Sequence, residues 1–88
     1  MVYSVSYDLR KPGRNYDALY AYLQKFTWCH ALESTWFVMS DLSAANIRDA
    51  IGKLVDAGDG VVVTRLAADW ATWGMSAGVN AWLRAHLS

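Results

Sequence analysis

Cysteine is nearly absent from this chain of 88 residues: Cys29 stands alone, so no internal disulfide can form. A lone thiol suits a reducing compartment, and the expected location is the cytoplasm. Histidine is almost as scarce. With one cysteine, His30 and His86 offer no zinc-ligand spacing. Long apolar runs are missing too. No stretch approaches the roughly 20 residues that cross a bilayer. The first eight residues lack the basic segment and apolar run of a signal peptide. A soluble protein with no membrane partner is the expectation. Neither sign of charge is in excess, since eight Lys and Arg balance eight Asp and Glu. That balance argues against a strong, unaided nucleic-acid binder, although it leaves room for a local basic patch. No glycine-rich phosphate loop, dinucleotide fingerprint or nucleophile elbow occurs. The sequence carries no strong catalytic signature.

What the chain has in quantity is apolar and aromatic surface. Hydrophobic residues make up 55% of it and aromatic residues 14%, with five Trp and five Tyr. A single domain of this size hides only about 60–65% of the surface its unfolded chain exposes, which is little room for so many rings. A homodimer that covers the surplus between subunits is expected. Base stacking is the weaker reading of the tryptophans. Stacking platforms usually interleave rings with Lys or Arg, whereas Trp70 and Trp73 are surrounded by Asp69, Ala71, Thr72 and Gly74.

The order of elements follows from periodicity and breakers. Tyr3, Val5 and Tyr7 alternate with Ser4, Ser6 and Asp8, the pattern of a strand with one apolar face. Pro12 and Gly13 mark a turn, and Asn15 stands where a helix N-cap belongs. Behind it Tyr16, Leu19, Tyr20, Leu23 and Phe26 form a helical stripe. Residues 28–40 read as two short strands joined at Glu33-Ser34, or equally as one long bent strand, which the sequence does not separate. Ser43 caps a second helix with the stripe Ile47, Ala50, Ile51, Leu54 and Val55. Gly58-Asp59-Gly60 is a turn, and residues 61–66 are the clearest strand. After Ser76 a last short helix carries Val79, Trp82, Leu83 and His86 on one side. The fold class is α+β, a ferredoxin-like βαββαβ sandwich with an extra C-terminal helix. One domain spans residues 1–88, with a core at 1–67 and a Trp-rich extension at 68–88. Val61, Val62, Val63 and Leu66 make the last strand apolar on both faces. Its outer face therefore needs a cover, either a second subunit or the Trp-bearing tail, whether the chain's own or that of the partner.

The runs Ser6-Tyr7-Asp8-Leu9 and Leu32-Glu33-Ser34-Thr35-Trp36 resemble the small CRISPR-associated adaptation protein and its superfamily. Small SinR-like bacterial proteins and ribonucleases linked to toxin–antitoxin loci belong to that superfamily. The resemblance covers roughly residues 2–66. It implies a homodimer with the two sheets facing each other across a cleft. It also implies a divalent metal, Mg or Mn, held by an Asp at the end of the first strand, which maps onto Asp8. The adaptation proteins usually end in a further strand that pairs with the partner subunit. Here Asp69–Gly74 and a helix take that place.

Asp8 is thus the candidate catalytic residue and metal ligand. Magnesium needs only one or two carboxylates beside substrate phosphates, and a bound ion can activate water for phosphodiester cleavage. The plainer reading is that Asp8 ends its strand and caps the following turn. Arg10, Lys11 and Arg14 are the candidate nucleic-acid contacts. They lead into the first helix, where backbone N–H groups already favour an anion, but a solvated basic loop explains them equally well. Cys29 and His30 are strand neighbours that point to opposite faces, so they form no nucleophile–base pair. The leading reading is a dimeric protein that binds or processes RNA or DNA, with metal-dependent nuclease activity as the resemblance implies; the alternatives are a non-catalytic dimerisation or interaction module and a regulatory partner in a toxin–antitoxin or phage-defence system.

Overall fold

The computed structural model describes residues 1–87. Its elements are β1 (Val2–Asp8), α1 (Asp17–Leu23), β2 (Thr27–Leu32), β3 (Thr35–Met39), α2 (Ala44–Gly52), β4 (Gly60–Arg65) and α3 (Ala77–His86). The strands form one antiparallel sheet in the order β2-β3-β1-β4. The protein is therefore α+β, with a four-stranded antiparallel sheet and three helices, an arrangement compatible with a ferredoxin-like fold. No helix among the described residues is long and apolar enough to cross a membrane.

Alternation along β1 decides what the sheet buries. Tyr3, Val5 and Tyr7 point inward and join Trp36 and Val38 of β3, Leu19 and Leu23 of α1, and Ile47 and Ile51 of α2 in the main core. The register explains the grouping, because Val5 lies opposite Trp36 and Tyr3 opposite Val38. Polar atoms that enter this core are paired there. Trp36 Nε1 donates to the Tyr7 hydroxyl at 3.0 Å, and that hydroxyl donates to the Glu33 carbonyl at 3.3 Å. Tyr3 donates its hydroxyl proton to the Leu42 carbonyl at 2.7 Å, which ties the segment before α2 to the sheet.

The outer face carries Ser4, Ser6, Phe37, Val62 and Thr64, as the same registers require. The α3 helix lies over part of it. Val79 and Leu83 are buried, and the Trp82 ring sits 6.2 Å from that of Phe37. Trp70, in the irregular segment before α3, donates to the Leu87 carbonyl at 3.0 Å and ties the chain end back to it. Thus the chain's own tail covers the β2–β3 half of this face. Around β4 the face stays open, and Val62 is 61% exposed.

Three local expectations shift. The entry residue of α1 is Tyr16, whose side chain makes no capping bond. Asn15 accepts from the Asp17 amide two residues on, at 2.8 Å, so its amide forms an Asx turn just ahead of the helix. The α1 helix stops at Leu23, and α2 at Gly52, so Phe26 and Val55 pack against the core from the turns that follow, and Leu54 lies beyond its helix. The last strand runs Gly60–Arg65, one residue earlier than its apolar run.

Ser43 and Ser76 cap their helices as their positions suggest, accepting from the Asn46 and Val79 amides at 3.1 and 3.3 Å. Ser43→Ala should lower stability by about 1 kcal/mol, because the Asn46 donor loses its only side-chain acceptor at the helix end. Urea unfolding of the two proteins checks this, with an unchanged m-value as the sign that only stability moved.

Candidate functional site at the Asp8 end of the sheet

Where β1 ends and β4 begins, the outer face holds a shallow groove of about 380 Å³, lined by Ser6, Asp8, Arg10, Gly60 and Val62 among others. Asp8 is opposite Gly60 in the β1–β4 register. Its side chain is 70% exposed, and one oxygen accepts from Arg10 Nε at 2.9 Å. The remaining bonds of Arg10 reach the loop before β4. Its Nη1 donates to the Gly58 carbonyl at 2.9 Å, and its backbone amide donates to Asp59 Oδ1 at 2.6 Å. Gly60 makes room for this. A Cβ there would stand 2.9 Å from the Arg10 guanidinium.

Asp59 is the hub that joins the two loops. Besides the Arg10 amide it accepts from the Tyr16 hydroxyl at 2.7 Å and from the Asp56 amide at 2.8 Å. Desolvation works against its charge, yet the hydrogen bonds from Arg10, Tyr16 and Asp56 outweigh it and hold the carboxyl below its ordinary range. The same contact appears from the other side. Desolvation first, and then the bond to Asp59, push the Tyr16 hydroxyl above its usual value.

The basic candidates do not form one free patch. Arg10 is committed to Asp8, Gly58 and Asp59. Arg14 Nη1 lies 3.9 Å from Asp56 Oδ1, with its guanidinium 5.7 Å from the Tyr16 ring centre. Lys11 is exposed and enters no ion pair among the described residues. Arg10, Lys11 and Arg14 thus share their loop cluster with Asp8, Asp56 and Asp59, and their charges balance. The Asp8–Arg10 pair is nonetheless held loosely, because exposed pairs contribute only about 0.2–1 kcal/mol. A phosphate or a hard cation in the groove can compete for either partner.

As a fit to a divalent metal, one chain supplies one exposed carboxylate, Asp8, with a guanidinium beside it. Both oxygens of Asp59 are already acceptors in the loop network. Among the described residues no cluster of three or more His, Cys, Asp or Glu side chains is placed to hold a metal. The chain could therefore hold Mg or Mn through Asp8 only with help from substrate phosphates or from a second copy.

Sequence reasoning singled out Asp8 and Arg10, which the structure brings together. It missed Tyr16, Asp56 and Asp59, reading the last as a plain turn residue. The available signal was the pair of carboxylates three apart in a glycine-bearing loop, which form Asx-type bonds (Gly58 N to Asp56 Oδ2, 3.0 Å). Nothing local to that loop shows that its partner is Arg10. Elsewhere, Cys29 lies opposite Phe37 on the outer side, while the His30 ring stacks on Trp36 at 4.1 Å. Burial pushes the Cys29 thiol up, so it is not an activated thiolate.

Fold and site together define a small α+β protein whose sheet has one helix-covered face, one partly covered face and an Asp–Arg loop clasp at one end. Compared with known proteins, the chain matches no family model, and no curated protein and no solved structure is significantly similar to it.

Proposed function

We propose that this chain is a ferredoxin-like, self-associating interaction module of the cytoplasm, in which Asp8 and Arg10 serve as a structural clasp. One observation carries this reading. The edge strand β4 presents Val61, Val62 and Val63 with its outer edge unpaired and its outward side chain, Val62, 61% exposed. An apolar, uncovered edge strand is a liability in a monomer and a template for association. The balanced charge of the loop cluster supports the same reading, since each Arg there has a carboxylate beside it. Light scattering at micromolar concentration should return twice the 9.8 kDa chain mass. A stable species at the single-chain mass would sink the proposal.

The exposure of Asp8 beside the groove favours a second reading, a dimeric nucleic-acid-processing protein akin to the CRISPR-adaptation superfamily, with RNA or DNA as substrate and Mg or Mn as cofactor. In that case Asp8 holds the ion and Arg10, Lys11 and Arg14 contact phosphates. When bound, the metal supplies a nucleophilic water at neutral pH. The two readings separate on Asp8→Asn. On the clasp reading the variant changes stability by less than about 1 kcal/mol, and neither protein cleaves RNA or DNA with Mg or Mn. On the nuclease reading the wild type cleaves and the variant does not, with folding intact, because Asn keeps the shape but loses the charge a hard cation needs.

A further inference from the structure

The β1–β4 register leaves a defined set of backbone groups without partners. The Leu66 amide donates to the Val2 carbonyl at 2.9 Å. The pairs Ser4–Thr64, Ser6–Val62 and Asp8–Gly60 continue the same ladder. Hydrogen-bonded and non-hydrogen-bonded pairs alternate along an antiparallel ladder. Gly60, Val62 and Thr64 therefore direct their N–H and C=O groups to β1. Val61, Val63 and Arg65 direct theirs outward, and no strand lies beyond β4 in the sheet.

The two edges of the sheet differ in how they treat such groups. The β2 edge is interrupted by a register shift between Cys29 and Leu32, a device that blunts pairing. The β4 pairing is regular from Gly60 to Arg65, without a bulge or proline, and its first charge is Arg65.

We propose that β4 pairs with β4 of a second copy of this chain, antiparallel, about a two-fold axis through Val63. This rests on the self-associating reading above and specifies its interface. Val63 then faces the partner's Val63, and Val61 faces the partner's Arg65. All three outward-directed residues of each strand become hydrogen-bonded pairs, giving about six N–H···O bonds. On the outer face, Val62 lies against the partner's Thr64 in a closely spaced pair, which covers the exposed valine.

Charge favours a second copy over an unrelated strand. Arg65 enters no ion pair among the described residues. In this register it stands across from the partner's Val61, two positions from the partner's Asp59. That carboxylate is kept ionised by its three donors, and it lies within the diagonal reach of a long side chain. The two-fold repeats the contact at both ends of the strand pair. The register also separates the two Asp8 side chains. Each sits beside Gly60, three positions from the axis, so they end on the order of 20 Å or more apart and cannot share an ion.

Two measurements on the full chain test this. In amide hydrogen exchange by NMR, Val61, Val63 and Arg65 should be protected at high protein concentration. They should exchange at least about tenfold faster on dilution to the monomer, while Val62 and Thr64 stay protected throughout. In a Cys29→Ser background, Val63→Cys should form a disulfide-linked dimer under mild oxidation, since facing residues of a hydrogen-bonded pair lie about 5.5 Å apart at Cα. Val62→Lys, at an exposed position, should keep the fold by circular dichroism and weaken the dimer at least about tenfold. A stable monomer at micromolar concentration overturns both this inference and the self-associating reading. A dimer whose Val61, Val63 and Arg65 amides exchange as in the monomer, or whose Val63→Cys variant fails to cross-link, overturns this interface alone.

Discussion

Trp36→Ala is expected to remove about 3–5 kcal/mol of stability, enough to leave much of the protein unfolded at room temperature. Whole domains are stable by only about 5–15 kcal/mol, and one of this length lies toward the low end. The size of the effect follows from where the ring sits. Trp36 is 2% exposed in the centre of the sheet. It stacks against His30 at 4.1 Å, and the rings of Trp28 and Tyr20 lie 5.0 and 6.4 Å away. Truncation leaves a cavity and also takes the Nε1–H donor from the Tyr7 hydroxyl. Trp36→Phe separates the two contributions, since it keeps most of the bulk and should cost less than the alanine variant. Trp73→Ala is the control. That ring is 97% exposed, so its removal should change stability by no more than about 0.5 kcal/mol. Thermal unfolding followed by circular dichroism compares all three. Equal losses for Trp36→Ala and Trp73→Ala would contradict the packing described here.

Loss of Asp59 should have the next largest effect, and it should depend on pH. The folded-state carboxyl lies below its ordinary range, so the unfolded chain binds the proton more readily. Its contribution to stability is therefore present above the unfolded value of about 3.9. It is lost as pH falls through the folded value. Tyr16 gives the opposite limb. Its folded value is raised above the ordinary 10.0, so its contribution holds below that pH and fades as pH rises through the folded value. Asp59→Ala should flatten the acid limb of a plot of melting temperature against pH. It should also release the Arg10 amide, whose exchange protection is expected to fall by roughly tenfold or more as a charge-assisted bond is lost. An acid limb that survives the substitution unchanged would assign it to other carboxylates.

Much of this architecture was legible in the chain because it rests on short-range physics. The alternation of Tyr3, Val5 and Tyr7 with serines required a strand with one buried face. Ser43 and Ser76 could cap helices because a serine oxygen reaches an amide three residues on. The absence of glycine or proline from residues 28–32 and 35–39 marked extended structure on both sides of Glu33-Ser34, but only the pairing of β2 with β3 decided for a hairpin over one bent strand. Where local signals competed, boundaries moved. Asn15 offered its side chain to Asp17, and Tyr16, whose ring is buried, became the entry to α1.

The candidate site divides in the same way. That Asp8 follows a strand and precedes a basic turn was visible from residue order alone. That Arg10 closes on Asp8 and reaches Gly58 and Asp59 was not, because those partners lie nearly fifty positions along the chain and meet only when β4 pairs with β1. The five tryptophans show the limit most directly, since composition made them equal and the sheet did not. Trp36 fell on the inner face opposite Val5, whereas Trp73 fell in the segment before α3 and kept its ring in solvent. Composition and spacing by themselves determined the helices, the extended segments, their order along the chain and the apolar character of β4. Which strand became an edge, which face the tail covered and which charges met were decided by the tertiary structure, because pairing between distant segments depends on the register of the whole sheet rather than on any one segment's preference.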